Sequence, residues 1–217
     1  MKILLVTMIA VALVTSAKAD PTSMVTVNFS NPQLYPAQWT LTVHPDGSGH
    51  FHAEGGTRSG SQADTLFPAR VDRDVHLSTS FTNRVFQTVH DTRILDGKCE
   101  SHLKVAFQGL KKITYSGPDA QGGCEFNYSK YKEIQDLGES LVAVGSTLIE
   151  GARLELLLQH DPLGLDSAMQ YVVEASGDGR LQQICAIRGI LERLEEDPHV
   201  LDRVRKRART LLAGADK

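Results

Sequence analysis

Past its first twenty residues this chain has no apolar run of spanning length, which takes about 20 residues. No transmembrane segment is therefore expected in the mature protein. It also lacks a basic surplus: 23 lysines and arginines face 26 aspartates and glutamates, for a net charge of −3. A mildly acidic chain makes no overall case for binding nucleic acid. No internal repeat is visible. There is no Gly-x-Ser-x-Gly elbow, which removes the ordinary α/β-hydrolase route. Gly55-Gly56-Thr57-Arg58-Ser59-Gly60 is followed by no Gly-Lys-Ser/Thr and opens no helix, so it is not a phosphate loop. Ser101–Lys104 and Ser129–Lys132 have Ser-x-x-Lys spacing, but neither Ser-Asp-Asn nor Lys-Thr-Gly accompanies them. Ser129 reads instead as a helix cap. No catalytic constellation and no cofactor site is assembled by these motifs, and none of them resembles a family of known activity.

What is present begins with an address. Lys2 precedes an apolar run from Ile3 to Val14, and Ser16-Ala17-Lys18-Ala19 ends in a small-x-small pattern. This reads as a signal peptide over residues 1–19, cleaved after Ala19, with no cysteine at the new terminus for a lipid anchor. The expected location is secreted, or periplasmic in a Gram-negative host.

Cysteine is scarce: Cys99, Cys124 and Cys185 are the whole supply. A Cys99–Cys124 bond would close a loop of about 26 residues, a link that chain entropy values at roughly 3–4 kcal/mol. Cys185 is then a free thiol on a helix face.

Residues 20–128 read as a β-rich α+β region. Met24–Phe29 and Trp39–Val43 alternate as strands. In the turn that follows, a three-residue Pro45-Asp46-Gly47 loop pairs Leu41 with Phe51 and puts Trp39, Leu41, Val43 and Phe51 on one apolar face. A two-residue loop would place Phe51 among threonines, so the longer loop is expected. Gly55–Asp64 reads as a surface loop. A short strand near Asp74–Ser78 precedes a helix carrying Phe81, Val85, Phe86 and Val89. Three further strands are expected at Leu103–Phe107, Lys111–Tyr115 and Cys124–Tyr128.

Residues 129–217 read as helical. Ile134, Leu137, Leu141, Val144 and Leu148 mark one face of a long helix that ends by Asp161-Pro162. Gly138, Gly145 and Gly151 interrupt it, implying either close packing or a bend. Asp166 is expected to cap a helix ending near Ala175. Ile184, Ile187, Leu191 and Leu194 form another stripe, and Asp197-Pro198 is expected to start the last helix. The fold class is thus α+β: an N-terminal antiparallel sheet with one packed helix, then a helical half sharing its core.

Two clusters stand out as candidate sites. His44, His50 and His52 fall on the polar face of one hairpin, an arrangement able to bind zinc, copper or nickel, with Asp46 or Asp91 as an added oxygen ligand. Arg203, Arg205, Lys206, Arg207 and Arg209 crowd the last helix, where they can hold a partner or polyanion, or simply pair with Glu192, Glu195, Glu196 and Asp202. The leading expectation is an exported, non-enzymatic binding or interaction module whose partner is another exported protein or an anionic envelope surface. The rival is a metal-binding protein or metal-dependent enzyme built on the histidines.

Overall fold

Alternation of apolar and polar side chains carries six strands into one antiparallel sheet, and helices cover only the face bearing the apolar set. A computed structural model of the chain describes residues 22–57, 66–92 and 94–215. The signal-peptide segment 1–19 and residues 58–64 of the glycine-rich stretch lie outside the described residues. Strands β1 (Met24–Ser30), β2 (Gln38–Val43), β3 (Ser48–Glu54) and β4 (Val71–His76) precede helix α1 (Thr79–Asp91). Strands β5 (Leu110–Ser116) and β6 (Gln121–Phe126) then lead into α2 (Lys132–His160), α3 (Leu165–Gly177), a 3-10 turn at Ile184–Ile187, α4 (Arg188–Glu196) and α5 (Asp202–Ala215). The sheet order is β4-β3-β2-β1-β5-β6.

The β2–β3 hairpin has the expected register. Leu41 lies opposite Phe51 and Val43 opposite Gly49. The His44 N–H donates to the Ser48 carbonyl (2.8 Å) across the three-residue loop, and Gly47 takes the left-handed conformation the turn requires (φ 86°). Helix α1 is capped by Ser78, whose Oγ accepts the Phe81 N–H, and it buries Phe81, Val85 and Val89.

Helix α2 continues unbroken through its three glycines, and each one admits a neighbour. A Cβ at Gly145 would stand 2.8 Å from Trp39 Cε2, and one at Gly138 would stand 2.8 Å from Phe126 Cζ. At Gly151 a Cβ would collide with Ile187 of the 3-10 turn. Trp39 cannot easily yield, since Phe29 stacks on it at 5.1 Å and Phe51 leans on it at 5.8 Å. The buried side chains form a single cluster reaching from the sheet through α2 to α5.

Cys99 and Cys124 are disulfide-bonded and buried, tying the segment after α1 to β6. Cys185 is a free, half-buried thiol whose pKa is raised chiefly by burial.

Several local expectations are corrected. Leu103–Phe107 is not a strand. Both sides of β5 are taken by β1 and β6, so the segment does not pair with the strand that follows it as a meander would require. The strand expected near Asp74–Ser78 lies at Val71–His76, and the one expected at Cys124–Tyr128 lies at Gln121–Phe126. Asp197-Pro198 starts a turn, with Asp197 Oδ1 accepting the His199 N–H (2.8 Å), and the helix itself begins at Asp202. Helix α3 begins before Asp166, at Leu165, and Gly164 occupies its cap position without a side-chain bond. Tyr131, not Ser129, precedes α2, while the Ser129 Oγ accepts the Tyr131 N–H (3.2 Å).

The glycine seam makes a paired prediction. Gly145→Ala should destabilise the fold by about 1–2 kcal/mol in denaturant melts, because overpacking against Trp39 outweighs the gain in helix propensity. Gly189→Ala, on α4 with nothing within 4 Å of the added Cβ, should instead stabilise by up to about 1 kcal/mol.

Candidate functional site

The face of the sheet opposite the helices keeps polar side chains in half-buried or exposed positions. Its middle row crosses all six strands as Asp72, His52, Thr40, Asn28, Lys112 and Glu125. Period-two alternation and antiparallel register place these residues in line. Within the row, the Thr40 hydroxyl donates to Asn28 Oδ1 at 2.9 Å. A depression of about 290 Å³ opens over this row, lined by Asn28, Thr40, His52, Glu54, Lys112 and Glu125 among others.

At the β3–β4 end the histidines meet carboxylates. His50 Nδ1 lies 3.0 Å from Asp74 Oδ1, and its Nε2 lies 3.2 Å from Asp72 Oδ1. His52 Nδ1 lies 2.9 Å from Asp72 Oδ2, and its Nε2 lies 3.2 Å from Glu54 Oε2. Arg70 adds a guanidinium contact to Asp72 at 2.9 Å. At His50 a neutral imidazole would turn a lone pair toward one of its two carboxylates, so this geometry suits the doubly protonated ring. The hydrogen bond to Asp74, aided by the charge of Asp72, raises the His50 pKa above its ordinary 6.5 against the opposing effect of burial. Arg70 first and His52 second hold Asp72 down at about 2.

The expected histidine trio is therefore divided. His50 and His52 stand together around Asp72, while His44 Nδ1 lies 3.4 Å from the Ser23 carbonyl. Asp46 serves the turn, accepting from the Ser48 N–H and hydroxyl at 2.9 and 2.6 Å. Asp91 ends α1. Among the described residues no group of three or more His, Cys, Asp or Glu side chains is disposed to hold a metal ion. Asp72, Asp74 and Glu54 escaped the sequence reading. Asp72 and Asp74 meet the histidines only once β4 is set beside β3, across a long connection, whereas Glu54 follows His52 by two residues on β3 itself.

The basic cluster on α5 is engaged by acids. Asp166 Oδ1 receives both Arg203 (2.7 Å) and Arg207 (2.6 Å) from α3, and Glu195 receives Arg209 (2.8 Å) from α4. Lys206 reaches Asp202 at 2.9 Å, and Arg205 reaches it at 3.8 Å. The Asp166 and Glu195 contacts fasten α5 to α3 and α4, while those to Asp202 lie within α5 itself. Of the Ser-x-x-Lys pairs, Lys132 turns to Asp136 and Ser101 Oγ accepts the Leu103 N–H.

The ladder sets a pH dependence. The stabilisation from His50 is complete below the unfolded value of 6.5 and is lost as pH rises through its raised folded pKa. That from Asp72 is present above 3.8 and is lost as pH falls through about 2. An NMR titration should place the His50 pKa above 6.5, and Asp74→Asn should lower it. The melting-temperature gap between wild type and His50→Gln should shrink as pH rises through that pKa.

No family model matches the chain, and no curated protein matches it.

Proposed function

We propose that this is an exported, non-enzymatic binding module that engages another exported protein through the open face of its sheet. The observation carrying the reading is the one-sided cover. A six-stranded sheet has its apolar face sealed by helices, while its polar face offers rows of threonine, asparagine and paired charges around a shallow depression. Open antiparallel faces of this kind present rigid, regularly spaced side chains to a partner. Export is supported by the composition of residues 1–19 and by the Cys99–Cys124 bond, which suits an oxidising compartment such as the periplasm. No helix among the described residues is long and apolar enough to cross a membrane.

A photo-crosslinking residue placed at Thr42 or Thr114, on the open face, should yield a discrete crosslinked product in the host envelope. The same residue at Glu196, at the end of α4, should not. Equal products from both faces, or products from Glu196 alone, would overturn the reading.

The rival metal-binding reading rests on His50 and His52 flanking Asp72, and it would have to turn the rings away from the carboxylates they now contact. It expects stoichiometric zinc, copper or nickel in protein purified without chelators, lost in His50→Ala/His52→Ala and retained in His44→Ala. The binding-module reading expects the double variant to leave crosslinking from Thr114 unchanged.

A further inference from the structure

Residues 102–108 leave the end of the sheet as an exposed loop with both feet pinned to adjacent residues. The Ser101 N–H donates to the Tyr128 carbonyl (2.9 Å) and the Gln108 N–H to Asn127 Oδ1 (2.8 Å). Asn127 Nδ2 returns a bond to the Ala106 carbonyl at 3.2 Å. Behind the base, Lys111, only 2% exposed, donates from Nζ to the carbonyls of Asn127 (2.9 Å) and Gly109 (3.2 Å). The disulfide at Cys99 anchors the approach. The loop is thus a projection on a fixed footing.

Its side chains are of the kind normally hidden. Leu103 is 60% exposed, Val105 41% and Phe107 50%, and they alternate within five residues. The other exposed large apolar side chains among the described residues, Leu34, Leu163 and Leu201, are widely separated in the chain. Such a concentration on one projection marks an interaction site.

Beside it lies a concentration of cations. Lys98, His102, Lys112 and Lys130 line a depression of about 720 Å³ at the foot of the loop, and Lys104 sits on the loop itself. Glu100 and Glu125 line the same depression, but Glu100 is turned to the backbone, accepting from the N–H groups of Asn127 (2.7 Å) and His102 (3.1 Å). The α5 cations all have acidic partners, whereas Lys98, Lys104, Lys112 and Lys130 make no ion pair among the described residues.

We infer that this loop docks the protein on an anionic lipid bilayer: Leu103, Val105 and Phe107 enter the interfacial layer while Lys98, Lys104 and Lys130 meet lipid phosphates. An apolar tip beside unpaired lysines matches the two-signal logic of peripheral membrane binding, in which shallow insertion and attraction to anionic headgroups add. Face-to-face pairing with a second copy would instead bring two sets of the same lysines together. The inference goes beyond the open-face reading and does not depend on which protein that face binds.

The test is flotation of the purified protein with vesicles of phosphatidylcholine containing about 30% phosphatidylglycerol, compared with phosphatidylcholine alone. Binding should be at least about tenfold stronger to the anionic vesicles and should weaken as salt rises from about 0.05 to about 0.5 M. Leu103→Ser/Val105→Ser/Phe107→Ser and Lys98→Gln/Lys104→Gln/Lys130→Gln should each lower it by about tenfold or more. Both sets lie on the surface, so unchanged thermal melts will accompany the loss. If the apolar variant folds poorly, the lysine variant alone decides. Equal binding to both vesicle types, or variants that bind like wild type, would overturn the inference; the latter would assign binding to another surface of the mature chain. Release by inorganic phosphate at matched ionic strength would reduce the site to a free-phosphate pocket. A dimer in sedimentation lost in the apolar variant, or preference for polyglutamate over vesicles, would reassign the loop to a protein contact. None of these outcomes depends on crosslinking from Thr42 or Thr114.

Discussion

The closeness of α2 to the sheet governs much of the architecture. Where Gly145 faces Trp39 and Gly138 faces Phe126, helix backbone comes within reach of aromatic rings with no side chain between. That approach lets one 29-residue helix seal the apolar residues of several strands. It also brings Gly151 against Ile187, so the 3-10 turn and the α4–α5 pair are positioned from the same helix. Each glycine weakens the helix locally, and close packing offsets the loss. The helical half cannot move far from the sheet without opening the cluster that includes Leu41, Phe51 and Ile113.

One-sided cover then shapes the surface chemistry. With the helices on one face, the polar residues of all six strands remain together on the other. Their charges are not mixed evenly: Asp72, Asp74 and Glu54 gather with the histidines toward β4, while Lys112 and its neighbouring lysines lie toward β6. Threonines and Asn28 occupy the ground between. The polar face is thus uneven: its β4 end is an ion-paired cluster of carboxylates, histidines and Arg70, and its β6 end carries Lys112 opposite Glu125.

Legibility from sequence followed locality. The β2–β3 hairpin was readable in register because three residues of loop and four apolar side chains admit one solution. The α1 and α2 stripes were readable because period 3.6 persists over several turns. The α2 glycines posed a question that only Trp39 and Phe126 answer, and both are distant in sequence. Leu103–Phe107 failed because alternation records what a strand needs and not which strands take the places beside β5. The histidine cluster was half visible: His50 and His52 share a strand, but Asp72 and Asp74 arrive from β4 through pairing that local spacing does not encode. Asp166, the acid that holds Arg203 and Arg207, was read as a cap because its partners lie far along the chain.

Trp39 is the sole tryptophan of the chain, and it sits 4% exposed directly beneath Gly145. Its emission therefore comes from one place, the seam between sheet and long helix. Far-ultraviolet dichroism is dominated by the helices wherever they lie, whereas the indole senses whether the helix is seated. Coincidence of the two signals on unfolding would mean that helix formation and docking are one event. Separation would expose a state in which the helices persist after leaving the sheet.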